Sequence, residues 1–485
     1  MTEPFIGRRT AIPALCVLGF VLVAAGPIFP SDEPVPESIP AHRQRSGDPE
    51  AGYAALISGA WVGCGLPALP YDWFSWLVPA RYWPETLPGR PAGDEDLPFF
   101  LNRFTTKAGV DVLAPNCLFC HAGRVDGELV VGLGNADGRY HVFGPEAIRV
   151  ATWIDRSRWL YFWSPSRWRE TRKVGERMAA VAPYIGVEVQ GANPTHNLAW
   201  SLIMHRDRHS LEWMGTPQID AAPLLGPPSD VPPWWRMAKK HALFAAAGGQ
   251  GDHTGFTAVN STLCVDSVDE FLALYDYFDD IHAYIVSLQP PKYPRPIDEA
   301  LRARGEAIFS ARCVNCHGTY DEDPARETYP NRLIELDVIK TDPELARYNV
   351  IESRPATEWL NDSVFTRFGE YKPYLAYVAP PLDGIWATAP FLHNGSVPTL
   401  RALLKSDERP EFWTRSYDSV DFDPVDVGWL HTVLPSGQRA DAPDDDERKQ
   451  IVDTTLYGMS NRGHTFSDNL SDDDVQALLE YLKSI

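Results

Sequence analysis

The chain has 485 residues, more than a single hydrophobic core usually serves, so at least two domains are expected. Its 65 acidic residues outnumber 44 basic ones, a net charge of −21. That balance argues against nucleic acid as a partner, because phosphate binding needs a basic face, and it suits an acidic body that meets basic donor proteins electrostatically.

In chain order, residues 1–30 carry Arg8-Arg9 and then an apolar run from Ala11 to Phe29. These are the charged and hydrophobic regions of an export signal. The run, about 19 residues, is also long enough for a membrane helix. The segment is therefore either a cleaved signal peptide or an N-terminal membrane anchor, and the protein is expected in the periplasm, free or tethered. Residues 31–50, rich in Pro, Ser, Asp and Glu, read as a linker. From Tyr53 to Trp83 the chain is apolar and aromatic but broken by Gly63, Gly65, Pro67, Pro70 and Pro79. It reads as a wall over a cofactor, with Trp61, Trp73 and Trp76 as its large side chains, and not as a second membrane span.

Cys117-Leu118-Phe119-Cys120-His121 follows. Two thiols three positions apart with histidine next match the attachment site of c-type haem: the cysteines form thioethers and the imidazole binds iron. Glycine-rich residues 123–138 read as loop and short strands, 150–182 as partly helical, and 215–235 as a Pro-rich excursion ending in Pro232-Pro233-Trp234-Trp235. Ser267 with Glu270 forms a capping box ahead of Phe271, Leu274, Tyr275, Phe278, Ile281 and Ile285, one helical face that stops before Pro290-Pro291.

A second copy of the motif, Cys313-Val314-Asn315-Cys316-His317, comes after a helix with Leu301, Gly305, Ile308 and Phe309 on one face. Gly305 lets another helix approach closely. The last segment supplies one, with Ser471 and Asp474 at its cap and Val475, Leu478, Leu479 and Leu482 on its apolar face. Its ending resembles Ala283 to Leu288, which points to an internal duplication. The expected fold is mainly α: two cytochrome c-like haem domains, 51–295 and 296–485, with long irregular, Pro-rich inserts.

A zinc site would need a second ligand pair at short range, which neither motif has. His121 and His317 are the expected proximal iron ligands, with Cys117, Cys120, Cys313 and Cys316 as covalent anchors. Cys64 and Cys264 remain for a disulfide, which an oxidising compartment permits. For the second haem the distal ligand is expected from Gly458 to Phe466, as His464 or Met459; Gly463 favours His464 by allowing close approach to the ring. For the first, the equivalent loop offers His253, with His141, His196, His205, His209 and His241 as alternatives. Without such a ligand the first iron is open to water or O₂ and becomes the reactive centre.

The stretch from Ala379 to Leu400, with Thr388-Ala389-Pro390-Phe391-Leu392-His393-Asn394-Gly395-Ser396 at its heart, resembles the bacterial di-haem cytochrome c peroxidase superfamily. Asn394 stands where the peroxidases commonly have Asp. Phe422-Asp423-Pro424, Val427-Gly428, Gly463-His464-x-Phe466 and Gly109-Val110-Asp111-Val112 make the likeness closest to the branch containing the rubber oxygenases. The resemblance implies a C-terminal haem that relays electrons with His317 and His464 as axial ligands, and an N-terminal haem at His121 where peroxide or O₂ reacts. His393 would lie by the haem without ligating it. Such peroxidases often hold Ca²⁺ between domains, for which no ligand cluster stands out here. Their distal acid is not placed; Asp252 and Glu128 are the candidates. The expected function is a periplasmic di-haem peroxidase fed by a small cytochrome or cupredoxin. The alternatives are an oxygenase acting on an apolar substrate and a non-enzymatic electron carrier.

Overall fold

Two crossed pairs of helices frame the haem motifs. Helix α1 (Pro49–Ser58) starts at Asp48, whose carboxylate accepts from the Glu50 and Ala51 amides, with proline in the first turn. It lies across α2 (Tyr275–Ser287), and Gly52 sits where an added Cβ would collide with the Asp280 carbonyl. Helix α3 (Glu299–Arg312), capped by Asp298, lies across α4 (Asp472–Ser484), capped by Ser471, and Gly305 meets the Ala477 carbonyl in the same way. One device, a glycine that lets backbone touch backbone, serves both crossings. The capping box at Ser267 is present, with its hydroxyl accepting from the Glu270 amide. The helix it starts ends at Leu272, however, and α2 begins afresh at Tyr275.

This computed structural model describes residues 34–485 except 69–70, 73–84, most of 143–163, 194, 221–225, 322, 418–420 and 439–444. The export segment at 1–30, Trp73 and Trp76 lie outside the described residues. From Val35 to Ile485 the chain forms one compact unit. No helix among the described residues is long and apolar enough to cross a membrane. Residues 35–48 run along this unit, with the Ile39 amide on the Asn331 carbonyl and the Gln44 amide group on the Gly251 carbonyl.

The expectation of a mainly α chain is corrected. The fold is 40% helix and 14% strand, with the strands in six small sheets among the described residues. The departure begins before the first haem motif, which follows a strand where the second follows a helix. Leu101–Thr105 pairs antiparallel with Asp111–Pro115 and buries Asn102 and Phe104 on alternate positions. Ala122–Val125 and Glu128–Val131 form a hairpin turned by Asp126-Gly127, both at positive φ. Gly249–Gly251 pairs with Gly369–Tyr371, joining segments far apart in sequence. Short β-branched stretches and Asp-Gly or Gly turns favour strands wherever a helix has no long apolar face to bury.

The largest core cluster holds Trp61, Leu118, Trp200, Trp234, Phe278 and Trp359. Trp61 meets Phe278 edge to face within it, and Cys117 of the first motif packs against the same cluster. Cys64 and Cys264 are joined by a disulfide across 200 residues of sequence. Loop-closure entropy over such a span sets an upper bound of about 5 kcal/mol. The double variant Cys64→Ser/Cys264→Ser is expected to lose about 3 kcal/mol. The check is a lowered urea midpoint that wild-type protein reproduces under reductant.

Candidate haem sites

Each motif forms one helical turn, Leu118–His121 and Val314–His317, so both cysteines and the histidine project around one point. None of the four cysteines is in a disulfide. Burial pushes Cys117 up to about 12 and Cys120 and Cys313 up to about 11, so the sulfurs are neutral. Burial likewise lowers His121 to about 4 and leaves its ring neutral, the form that binds a metal.

At the second site His317 donates from Nδ1 to the Pro380 carbonyl at 2.8 Å, which leaves Nε2 as the free nitrogen. The His464 ring faces it with centroids 6.3 Å apart. Two metal–imidazole bonds of about 2 Å each put ring centres at roughly this separation. His464 is half-buried, and its enclosed Nδ1 has no hydrogen-bond partner. The donor set therefore fits haem iron held between His317 and His464, with Cys313 and Cys316 as anchors. The loop carrying His464 is held tightly: its amide donates to the Ile339 carbonyl at 2.8 Å, and Arg409 donates to the Asn461 and Gly463 carbonyls at 2.6 and 2.7 Å. The Ser460 amide donates to Asp342. Gly463 takes a positive φ and lies against the Lys340–Thr341 backbone, where an added Cβ would collide. Met459, the other candidate, is buried in a separate cluster with Trp413 and Val452, onto which Phe119 and Cys120 of the first motif pack.

At the first site Trp234 stacks on the His121 ring at 4.7 Å. Gly132 ties the two together: its amide donates to the His121 carbonyl and its carbonyl accepts from Trp234, both at 2.8 Å. The adjacent Trp235 donates from its indole to the Asp383 carbonyl at 2.8 Å, three residues beyond the carbonyl that holds His317. Sequence alone marked Trp234 and Trp235 only as the end of a Pro-rich segment. No second imidazole touches His121 among the described residues.

The other histidines lie elsewhere. His253 pairs edge to face with His282 at 5.9 Å, and the nitrogens of both rings are buried without partners. His141 meets Asp446, His196 meets Tyr348, His205 stacks on Trp213, and His241 meets the Ile39 carbonyl. His209 sits on an exposed turn over Asp207. Asp252 is paired with Arg45, and Glu128 is exposed on its strand. His393 stacks on Tyr377 at 4.2 Å, and its carbonyl accepts from the Asp230 amide. Beside it, Asn394 donates to the Gly458 and Ser460 carbonyls and so fastens the loop that delivers His464. Among the described residues no cluster of three or more acidic, histidine or cysteine side chains is arranged to hold a metal such as Ca²⁺.

Residues 376–414 match the RoxA-like, cytochrome c-like family. The match supports a relationship to the rubber-oxygenase-like di-haem proteins and implies covalently bound haem c. It identifies one cytochrome c-like domain where two had been expected. The chain is 30% identical over 262 residues to the uncharacterized protein y4iJ of Sinorhizobium fredii, covering 41% of each chain. It is 29% identical over 234 residues to the uncharacterized protein y4iM of the same organism, covering 41% of this chain and 52% of that one. The chain thus spans between two-fifths and about half of the curated relatives it matches.

Proposed function

We propose that the protein is an exported di-haem c-type oxidoreductase of the peroxidase type, in which the two haem sites do different work. The observation that carries this reading is the asymmetry between them: His317 faces His464 at 6.3 Å, whereas the ring beside His121 is an indole. A centre with two imidazoles is saturated and suits electron relay. A centre with one leaves a face of the iron for peroxide. The haems supply the one-electron chemistry when bound. The chain's own residues hold and orient them, keep both proximal histidines neutral by burial, and connect the sites through Trp234 and Trp235. A small cytochrome or cupredoxin with a basic face is the expected donor, given the net charge of −21. The Cys64–Cys264 disulfide supports a periplasmic location, in solution or on an N-terminal anchor.

The RoxA-like match favours a second reading, an oxygenase that uses the same open centre to attack an apolar substrate with O₂. Ferric-state EPR is expected to show one low-spin and one high-spin haem in equal amounts. Two low-spin haems in every redox state would reduce the protein to an electron carrier. Turnover with peroxide and reduced cytochrome, compared with O₂ and an apolar polyene, separates the two enzymatic readings.

A further inference from the structure

Arg236 is a buried cation, 6% exposed, that its own chain does not neutralise. Its Nε donates to the Asp383 carbonyl at 3.1 Å, and Nη2 reaches the Thr388 hydroxyl at 3.4 Å. Nη1 and the second hydrogen of Nη2 meet no acceptor among the described residues, and no carboxylate there lies within ion-pair distance of the guanidinium. The acid with the largest pull on it, Asp383, is bound by Lys239 at 2.5 Å. Half-buried Lys240, four residues on, is a second cation without an acid partner among the described residues. Burial, and then repulsion from Arg236, lowers Lys240 to about 8. Two like charges brought together in an enclosed place are costly unless an anion answers them.

Arg236 belongs to the second haem site. It shares the Asp383 carbonyl with Trp235, three residues after the Pro380 carbonyl that receives His317. Tyr320 ties that loop to the motif: its hydroxyl donates to the His317 carbonyl at 2.9 Å and accepts from the Leu382 amide at 2.5 Å. Burial raises the phenols of Tyr320 and Tyr329, and Arg236 pulls both back. Burial keeps His317 neutral, and the Arg236 charge acts in the same direction. The influences on His121 are instead burial and the Pro232 backbone. A c-type haem carries two propionate carboxylates on the edge away from its thioethers, and a guanidinium fork matches a carboxylate in shape and charge.

We propose that Arg236, with Lys240 beside it, binds the propionate carboxylates of the haem anchored at Cys313 and Cys316. The proposal rests on the reading of His317 and His464 as that haem's axial ligands, and not on the choice between peroxidase and oxygenase. A carboxylate here takes up the remaining guanidinium hydrogens. The ferrous state carries one positive charge fewer than the ferric, so a cation held at the ring edge favours it and raises the potential of the relay.

Arg236→Gln in the holoprotein keeps a polar side chain and removes the charge. The second haem is expected to stay low-spin, because both imidazoles are untouched. Its ferric state gains about tenfold, a fall of about 59 mV for one electron, and its propionate bending band in resonance Raman spectra moves. Arg236→Lys, which keeps the charge but not the fork, is expected to recover most of the potential without restoring the band. Lys240→Gln is expected to shift the same potential about threefold in the same direction, and it carries the test should Arg236→Gln fail to fold. An unmoved potential or an unmoved propionate band at the second haem overturns the proposal. So does a larger shift at the first haem, which would place the carboxylates there. A second haem that is high-spin already in wild type overturns the His317–His464 reading itself, before any variant is made.

Discussion

Replacing His464 by alanine is expected to turn the Cys313–His317 centre from low-spin to high-spin and to leave the Cys117–His121 centre spectroscopically unchanged. The His464 side chain is in place before any ligand is considered: it is half-buried, it faces His317, and its left-handed backbone is held by Ile339 and Arg409. An imidazole donates electron density and stabilises the ferric state, so its loss raises the potential of the second centre. Axial-ligand changes act on a scale of hundreds of millivolts, and about 59 mV is tenfold for one electron. A rise on the order of 120 mV therefore traps electrons on the second centre about 100-fold more strongly and slows delivery to the first by a similar factor. Spectroelectrochemical titration with EPR reads both effects. A second centre that stays low-spin at its original potential would show that another residue ligates it.

Arg206→Met is expected to cost about 4 kcal/mol, the largest loss of stability from any single change considered. The Arg206 guanidinium is fully buried and donates to the backbone carbonyls of Leu211, Thr262, Leu263 and Val265. Methionine fills much of the volume but takes a donor from all four carbonyls, of which Thr262 keeps the Val265 amide and Leu263 keeps Arg177. Lysine fares little better, since a point charge cannot span four carbonyls as a planar fork does. Three of those acceptors flank Cys264, so Arg206 and the disulfide hold the same segment. Their variants should combine non-additively, because either loss frees what the other restrains. Urea unfolding measures each term, and a cost of Arg206→Met below about 1 kcal/mol would refute the account.

The haem motifs, the caps at Ser267 and Ser471 and the Gly305 crossing were legible in the chain because each is decided within a turn or two of helix. The mainly α expectation failed for a related reason. It extended the plan of the second motif, which follows α3, to the first, which follows the strand Asp111–Pro115. Gly463 shows the limit at a single residue. A glycine signals that something comes close, but the sequence cannot say what, and here it is the Lys340–Thr341 backbone.

The pairing of His317 with His464, the Trp234 indole on His121 and Met459 in the cluster behind Cys120 were decided by tertiary contacts alone. Covalent haem chemistry needs a fixed local spacing, which the chain writes out in five residues. Ligation from the far side and access to the iron depend on what the rest of the chain brings to that point. Those elements come from more than 100 residues away, where no period or motif connects them.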